Sequence, residues 1–196
     1  MKNQDFNKMT ISARRTLKSL NGALTELLTT KPLEKISIQE LCDLAMISRG
    51  TFYNYFDDKY DLLNYNWKQI QLEIDPQYTH DMELISYGEY IHLFLKNFIV
   101  YLSKERDTYQ MILSNNSNSI FSSNMYDYID KQILLKLNNS KIHKNKEGIP
   151  LELLSSIYAS TILAVANWWI KSEEKYTEED VYSFFTQMIE TKNKIV

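Results

Sequence analysis

Several residue types are scarce in this chain, and each shortage narrows the possible structures. Its 196 residues include one cysteine, Cys42, which excludes an intramolecular disulfide and is typical of a reducing compartment. Four glycines and three prolines, with no run of alternating β-branched residues, indicate an all-α fold. The longest apolar run, 161–170, is about half the ~20 residues of a membrane span, and the N-terminus lacks the apolar core of a signal peptide. We therefore expect a cytoplasmic protein with no membrane contact.

Groupings typical of catalysis or metal binding are scarce as well. The histidines His80, His92 and His143 lie far apart in the sequence, and no pair has the spacing of metal ligands. No glycine-rich phosphate loop is present. The pair Asp57-Asp58 is better explained as a helix cap than as a general acid and base. We therefore expect no enzymatic activity, no metal site and no cofactor.

The net charge of −3 is unevenly distributed. Residues 1–60 contain nine Lys or Arg against seven Asp or Glu, a net of +2, which leaves −5 for the rest of the chain. A basic end on an acidic body is consistent with phosphate contacts confined to the N-terminal end, but an imbalance of this size is weak evidence by itself.

The most informative stretch is 37–59, with the sequence SIQELCDLAMISRGTFYNYFDDK. Ser37, followed three residues later by Glu40, forms a capping-box pattern that opens a helix. A turn at 46–47 follows, and Ser48 is a suitable cap for the next helix. Two short helices joined by a tight turn are typical of a helix-turn-helix, whose second helix reads DNA in the major groove.

The second of these helices separates an inward face from an outward one. At about 100° per residue, Phe52 and Phe56 share a face that we assign to the core. Gly50 and Asn54 point away from it, and Arg49 in the first turn can reach past the helix end. Gly in so short a helix costs about 1 kcal/mol relative to Ala, a cost that a close approach to something outside the protein would justify.

The flanking sequence predicts helices on both sides of this stretch. A first helix, capped by Thr10 or Ser12, would end at about Leu28, ahead of Pro32. Further helices are expected from Asp57 or Asp58 to about Glu73, over 87–103, 107–113, 123–137 and 151–172, and from a capping box at Thr177–Asp180 onward.

The helix at 151–172 is apolar over more than one face, which its own subunit cannot cover, and the last helix also repeats an apolar face. We therefore expect a four-helix dimer interface with two helices from each subunit, and a monomeric bundle is the alternative. The residues assigned to this interface are Leu154, Tyr158, Thr161, Ile162, Val165, Trp169, Val181, Phe184, Phe185 and Met188.

Together these features resemble the TetR family of bacterial transcriptional regulators. The resemblance is specific over about Leu24–Leu63, through KISIQELCDLAMIS and the TFYNYFDDKYDLL signature, and it is architectural beyond them. It implies a DNA-binding domain of three helices at 1–58 and a helical ligand-binding and dimerisation domain at 59–196. One departure is Met46, which stands where the family usually has a glycine. Because a left-handed Met costs about 1 kcal/mol or more, we expect the turn to be reshaped.

The resemblance also implies roles for individual side chains, and their chemistry agrees. Arg can bind guanine N7 and O6 in a fork, Asn can pair with adenine, and the Thr methyl group suits a thymine methyl. Tyr hydroxyls and a Lys near a helix start can bind phosphates and fix the register, although packing is the alternative for the tyrosines. The expected base-edge residues are Gln39, Arg49, Gly50, Thr51 and Asn54, and the expected phosphate residues are Ser37, Tyr53, Tyr55 and Lys59.

In this family, helices four to seven often enclose a small-molecule pocket. Aromatic walls with hydroxyl or imidazole groups could line such a pocket here, although each residue alone is also explained as plain core. The candidates are Tyr65, Trp67, Tyr90, His92, Phe94, Tyr109, Met111, Tyr128 and Trp168.

The sequence therefore predicts a sequence-specific transcriptional regulator. We expect a homodimeric repressor of a near-palindromic double-stranded DNA operator, released by a small-molecule effector. Two alternatives are open. The same fold could act as a co-regulator through protein contacts without an inducer, or the chain could be a helical small-molecule-binding protein with no DNA role.

Overall fold

A computed structural model describes residues 9–75, 87–117, 119–139, 149–172 and 175–191, and every long regular element in these ranges is an α-helix. The all-α fold is thus confirmed. The helices are α1 (Ile11–Thr30), α2 (Ile38–Leu44), α3 (Arg49–Tyr55), α4 (Lys59–Ile74), α5 (Tyr87–Ser103), α6 (Arg106–Asn116), α7 (Ile120–Asn139), α8 (Leu151–Ile170) and α9 (Glu178–Thr191), with a 3₁₀ turn at Leu33–Lys35.

Short-range caps explain where the first four helices begin. Thr10 Oγ1, Ser48 Oγ and Asp58 Oδ1 each accept the backbone N–H three residues onward, at 3.2, 3.0 and 2.8 Å. Ser37 and Glu40 form the predicted capping box at the start of α2. These bonds satisfy donors that a helix leaves unpaired in its first turn.

Several helix ends differ from expectation, and α7 runs over Ile120–Asn139 rather than 123–137. The helix α1 runs to Thr30 rather than Leu28, because only Lys31, directly before Pro32, leaves the right-handed region, with φ −161° and ψ 160°. The helix α6 continues to Asn116, where the sequence predicted a loop after Leu113. Asn116 is buried, and its amide bonds within the core compensate for the weak helix propensity of a Ser/Asn run.

The described chain packs as two compact units. The first comprises the described parts of Met1–Ile70 together with Met111–Ser123, and the second those of Gln71–Gln110 and Asn124–Val196. The helices α4, α6 and α7 therefore each contribute residues to both units. Whether 1–58 and 59–196 are separate domains stays a prediction.

The core of the first unit joins α1 to the two short helices. Leu20 and Leu24 of α1 are buried, as are Leu41 of α2 and Phe52 of α3. The Phe56 ring, at the end of α3, lies 5.7 Å from the Phe52 ring, centroid to centroid. The predicted inward face of α3 is therefore correct, and it anchors a helix too short to be stable alone.

The second unit is organised around α5, α8 and α9, which pack against one another. By length and composition alone, α8 could cross a membrane, but such a helix by itself is weak evidence for a span. One side of α8 packs inside the unit, where Ser155 donates a hydrogen bond to Asp130 Oδ1 at 2.7 Å. The start of α9 carries the predicted box, in which Thr177 N–H donates to Asp180 Oδ2 at 2.8 Å. The bond from the Thr177 hydroxyl, together with this N–H bond, lowers the pKa of Asp180.

Candidate DNA-binding site

The turn between α2 and α3 keeps a left-handed residue. Met46 has φ 56°, and its side chain is 92% exposed. Ile47 N–H donates to the Cys42 carbonyl at 3.0 Å, and Met46 N–H donates to the Asp43 carbonyl at 3.2 Å. These two bonds form a Schellman motif, which closes a helix through one left-handed residue. The expected reshaping of the turn is therefore not observed, and the strain is carried by Met46 itself.

The outward row of α3 presents polar groups to solvent. Arg49, Gly50 and Asn54 are exposed, whereas Thr51 is half-buried and its hydroxyl lies 2.9 Å from Ser48 Oγ. On α2, the exposed Gln39 side chain donates to Asp43 Oδ1 at 2.7 Å. We call Gln39, Arg49, Gly50, Thr51 and Asn54 the reading surface.

Glycine at position 50 is not required by the protein itself. A Cβ built on Gly50 would meet only Ser48 Oγ, at 3.7 Å, which is ordinary van der Waals contact. The backbone there is right-handed helix, in which Gly costs about 1 kcal/mol relative to Ala. Neither space nor conformation within the protein therefore accounts for this glycine.

The residues expected to bind phosphates differ in how accessible they are. Ser37 is exposed, but its hydroxyl donates to Glu40 Oε2 at 2.8 Å within the capping box. Tyr53 is partly exposed, with its ring edge-on to Phe52 at 5.5 Å. Tyr55 is half-buried, 6.4 Å from the Phe56 ring. Both rings thus pack on their own helix end.

Lys59 is occupied within the protein, which corrects its expected role. Its ammonium group donates to the carbonyls of Leu33 and Glu34 at 2.9 Å each and of Ile36 at 2.7 Å. An ammonium has three N–H donors, so all of them have acceptors and none is left to bind a phosphate. Burial is the main influence on this group, and it lowers the pKa of Lys59. Lys59 fixes α4 to the segment before α2, a long-range contact that helical spacing does not reveal.

A second ionic contact supports the start of α2. Lys31 Nζ forms an ion pair with Glu40 Oε1, beside the capping box. This bond and those from Ser37 lower the pKa of Glu40 to about 2. Cys42 on the same helix is buried, and its burial raises the pKa of the thiol, consistent with a core residue.

The residues predicted for dimerisation on α8 and α9 are mostly not the ones that these helices expose. Four of the ten predicted residues are buried inside their own subunit, which corrects their assignment: Ile162, Trp169, Val181 and Phe185. Four others, Leu154, Tyr158, Thr161 and Val165, are half-buried, Phe184 is exposed, and the Met188 side chain lies outside the described residues.

The exposed row of α8 lies one residue earlier in the sequence. It consists of Leu153, Ile157, Ser160, Ala164 and Trp168, each directly before a predicted interface residue. One residue corresponds to about 100° of helix rotation. The sequence could not fix this angle because α8 is apolar nearly all round. Trp168 is 45% exposed and lies 5.1 Å from the Tyr176 ring and 6.4 Å from the Phe184 ring.

The nine pocket candidates divide between the two units. In the first unit, Tyr65 and Trp67 are buried, whereas Met111 is 55% exposed. In the second unit, Trp168 is on the surface, so neither it nor Met111 fits the wall of an enclosed pocket. The remaining candidates of the second unit are the buried Tyr90 and Phe94 and the half-buried His92, Tyr109 and Tyr128. Burial raises the pKa of Tyr109.

A buried polar network lies in the second unit, at the end of α4. Asp75 has a fully buried carboxylate 3.9 Å from Lys136 Nζ, and the Tyr90 hydroxyl donates to it at 3.3 Å. Gln71 donates to Gln132 Oε1 at 2.9 Å and accepts from the Tyr128 hydroxyl at 2.7 Å. We call Gln71, Asp75, Tyr90, Tyr128, Gln132 and Lys136 the Asp75 network. Its bonds between helices join residues 15 to 61 positions apart, and no sequence pattern predicted them.

Within the described residues, no group of three or more His, Cys, Asp or Glu side chains could hold a metal ion. His92 lies instead between aromatic rings, 5.3 Å from Phe185 and 6.1 Å from Tyr182. His80 and His143 lie outside the described residues.

Comparison with known proteins identifies similar sequences and folds. Transposon Tn10 TetC protein of Escherichia coli is 27% identical over 105 residues, which cover 54% of this chain. The match spans 48% of TetC, about half the length of that relative. Lin0861 from Listeria innocua has a similar fold, with a TM-score of 0.67 at 16% identity over 96% of both chains. NalD of Pseudomonas aeruginosa also has a similar fold, with a TM-score of 0.62 at 14% identity over 89% of this chain and 93% of NalD. NalD is the secondary repressor of the MexAB-OprM multidrug efflux pump.

Two family descriptions match the chain itself. Residues 22–65 match the bacterial regulatory proteins of the tetR family. Residues 89–191, more than half of the chain, match a C-terminal region of transcriptional regulators that belongs to the same tetR family. The first match contains α2, the turn and α3, and the second runs from the first turn of α5 to the end of α9. The chain therefore belongs to the TetR family of bacterial transcriptional regulators.

Proposed function

We propose that this protein is a homodimeric cytoplasmic repressor that binds a near-palindromic DNA operator through α3. The observation that carries the proposal is the outward row of α3, where Arg49, Gly50 and Asn54 are exposed on a helix anchored by Phe52. A helix held in this way by its other side can enter the major groove. Repression is the role described for NalD, and we extend it to this chain.

Base recognition would come from the ends of three side chains. Arg49 would bind guanine in a fork, Asn54 would pair with adenine, and the Thr51 methyl group would contact thymine. Gly50 would let the helix backbone approach the bases closely. Ser37 and the two tyrosines would contact phosphates and set the register without reading sequence.

Dimerisation would use the exposed row of α8 and the neighbouring surface of α9. Leu153, Ile157 and Trp168 are apolar and exposed on α8, and Phe184 is exposed on α9. A largely apolar row of this kind is typical of a protein interface, and two such helices from each subunit form a four-helix bundle. The bundle would hold two reading surfaces at a fixed spacing.

The effector would bind in the second unit, close to the Asp75 network. Tyr90 and Phe94 offer apolar walls there, and the Tyr90 hydroxyl already bonds with Asp75. A ligand that binds one arrangement of these helices more tightly shifts the population toward it. If that arrangement places the reading surfaces at a spacing other than about 34 Å, successive major grooves cannot both be entered and the operator is released.

The experiment that tests this function is selection of bound DNA from a random pool. We expect an inverted repeat whose half-sites are one helical turn apart, about 34 Å. Recovery of single half-sites would contradict the dimer, and recovery of no enriched sequence at physiological salt would contradict the DNA-binding role. The latter outcome would favour a protein that acts only through its helical body.

A further inference from the structure

The amide of Asn116 is fully buried at the end of α6, and it bonds with three different segments of the first unit. Its Oδ1 accepts the Leu33 backbone N–H at 2.9 Å. Its Nδ2 donates to the Leu28 carbonyl at 3.3 Å and to the Ile112 carbonyl at 2.9 Å. One side chain therefore joins the last turn of α6 to the end of α1 and to the 3₁₀ turn.

The neighbours of Asn116 bond with the same region. Asn115 Nδ2 donates to the Thr29 carbonyl at 2.6 Å, and the Ile120 N–H donates to Glu34 Oε1 at 2.6 Å. Asn115, Asn116 and Ile120, at the corner between α6 and α7, thus hold the chain where it leaves α1. Among these contacts, the one made by Asn116 is buried, with the side chain at 0% exposure, and buried bonds of this kind hold position most firmly.

The segment fixed by this corner leads directly into the reading surface. Leu33 N–H bonds with Asn116, while the Leu33 and Ile36 carbonyls accept from Lys59. Ser37, the cap of α2, follows at once. The start of α2 is therefore held from one side by α4 and from the other by a corner that lies about eighty residues later in the chain.

We propose that Asn116 is a positioning residue for DNA recognition. It lies outside the helix-turn-helix, and it acts by fixing the segment from which α2 and α3 begin. The proposal rests on the proposed DNA-binding function. It assigns a role in operator recognition to a residue of the α6–α7 corner, which no helix-turn-helix pattern includes.

The test compares Asn116→Leu and Asn116→Asp with a matched control, Ser155→Ala. Ser155 is also 0% exposed and hydrogen-bonded, but it lies in the second unit. Folded fraction is measured by circular dichroism, and binding by fluorescence anisotropy on the selected operator and on random DNA. We expect the operator Kd of both Asn116 variants to weaken about tenfold, since the segment before α2 loses bonds that fix its position.

Two further readouts separate positioning from a loss of folded protein. Binding to random DNA depends on phosphates, so we expect its affinity and the salt dependence of binding to stay within about twofold of wild type. Asn116→Asp keeps an acceptor for Leu33 N–H but loses both donated bonds, and it is measured even if Asn116→Leu does not fold. An operator Kd within twofold of wild type in folded Asn116 variants overturns the proposal, as does an equal weakening in Ser155→Ala.

Hydrogen exchange of the unmodified protein gives a test that needs no variant. We expect the Leu33 N–H to exchange more slowly than the Lys35 N–H, whose acceptor is the Pro32 carbonyl of the same short turn. Equal exchange rates would show that Asn116 does not hold the segment. If the wild-type protein binds no selected operator, the proposed function fails. If wild type binds and the variants bind equally well, only the role of Asn116 fails.

Discussion

The reading surface and the Asp75 network hold their polar side chains in opposite ways. On the reading surface, Gln39 bonds with Asp43 four residues away, and Thr51 bonds with Ser48 three residues away. In the Asp75 network, Gln71 bonds with Tyr128 and Gln132 across 57 and 61 residues. The first set is largely exposed to solvent, and the second surrounds a carboxylate that is fully buried.

This difference indicates what each region can do. Locally bonded side chains keep their position when distant parts of the chain move, and their exposed groups can still meet a partner. A buried network joined across three helices depends on the position of every helix, so a ligand that shifts one helix disturbs the whole network. The first arrangement suits a fixed reader of DNA, and the second suits a responsive element.

The largest expected effect concerns Lys59, which follows α3 in the sequence. Its hydrogen bonds reach carbonyls 23 to 26 residues earlier, so it resembles the Asp75 network in depending on distant contacts. In Lys59→Met three carbonyls lose their donor, so we expect the free energy of unfolding to fall by about 2–3 kcal/mol. The measurement is urea denaturation. A parallel salt titration of DNA binding should give an unchanged slope, because no phosphate contact is removed.

The control for Lys59 is Lys131→Met, which removes an exposed positive charge from α7 in the second unit. It should leave stability within about 0.5 kcal/mol of wild type. If instead Lys59→Met lowered the salt slope by about one and left stability unchanged, the phosphate role expected from the sequence would be restored.

The next effect concerns base reading by Asn54. In Asn54→Ala we expect a loss of about 1–2 kcal/mol in operator binding, confined to one base position, because an Asn–adenine pair is specific to one base. Stability should change little, since Asn54 is exposed. The measurement is binding to a panel of operators with single base changes. Asn64→Ala, an exposed Asn on α4, is the control and should bind the whole panel as wild type does.

Local bonding also explains which features could be predicted from the sequence. The capping box of Ser37 and Glu40, the Ser48 cap and the inward Phe52 and Phe56 all depend on residues within four positions of each other. Short-range patterns determine such features before any tertiary contact forms. The helix-turn-helix could therefore be located correctly from a single sequence.

Features that depend on distant contacts could not be predicted in this way. Lys59 was assigned to phosphate because its position near a helix start suits that role, and its three carbonyl partners lie 23 to 26 residues earlier. The interface residues predicted on α8 each lie one position after the residues that α8 exposes. A helix that is apolar nearly all round does not reveal from its sequence which face is turned outward. Asn116 stood in a polar run that resembles a loop in sequence. Its buried amide bonds instead with Leu28 and Leu33, more than eighty residues earlier.

A smaller effect is expected at Gly50, and it tests whether the backbone there approaches DNA closely. Gly50 and Gly22 both lie in helices with space for a Cβ atom, so Ala at either position should stabilise the protein by about 0.5–1 kcal/mol. We expect Gly22→Ala to leave operator binding unchanged and Gly50→Ala to weaken it, since only Gly50 would face DNA. The measurements are thermal unfolding and operator titration. Equal operator affinity of the two variants would exclude a close backbone approach at Gly50.

The smallest effect concerns the strained residue of the turn. Met46 is left-handed and almost fully exposed, so Met46→Gly removes the conformational cost and gives up no packing. Because a non-glycine residue in this region costs about 1–2 kcal/mol and glycine loses extra chain entropy on folding, we expect a net gain of about 0.5 kcal/mol. The control is Ala45→Gly, at a right-handed and buried position, which should destabilise the protein. Operator binding should stay unchanged in Met46→Gly, since the Schellman bonds already fix the turn. A tighter or weaker operator complex would show that the Met46 side chain, and not only its backbone, takes part in reading DNA.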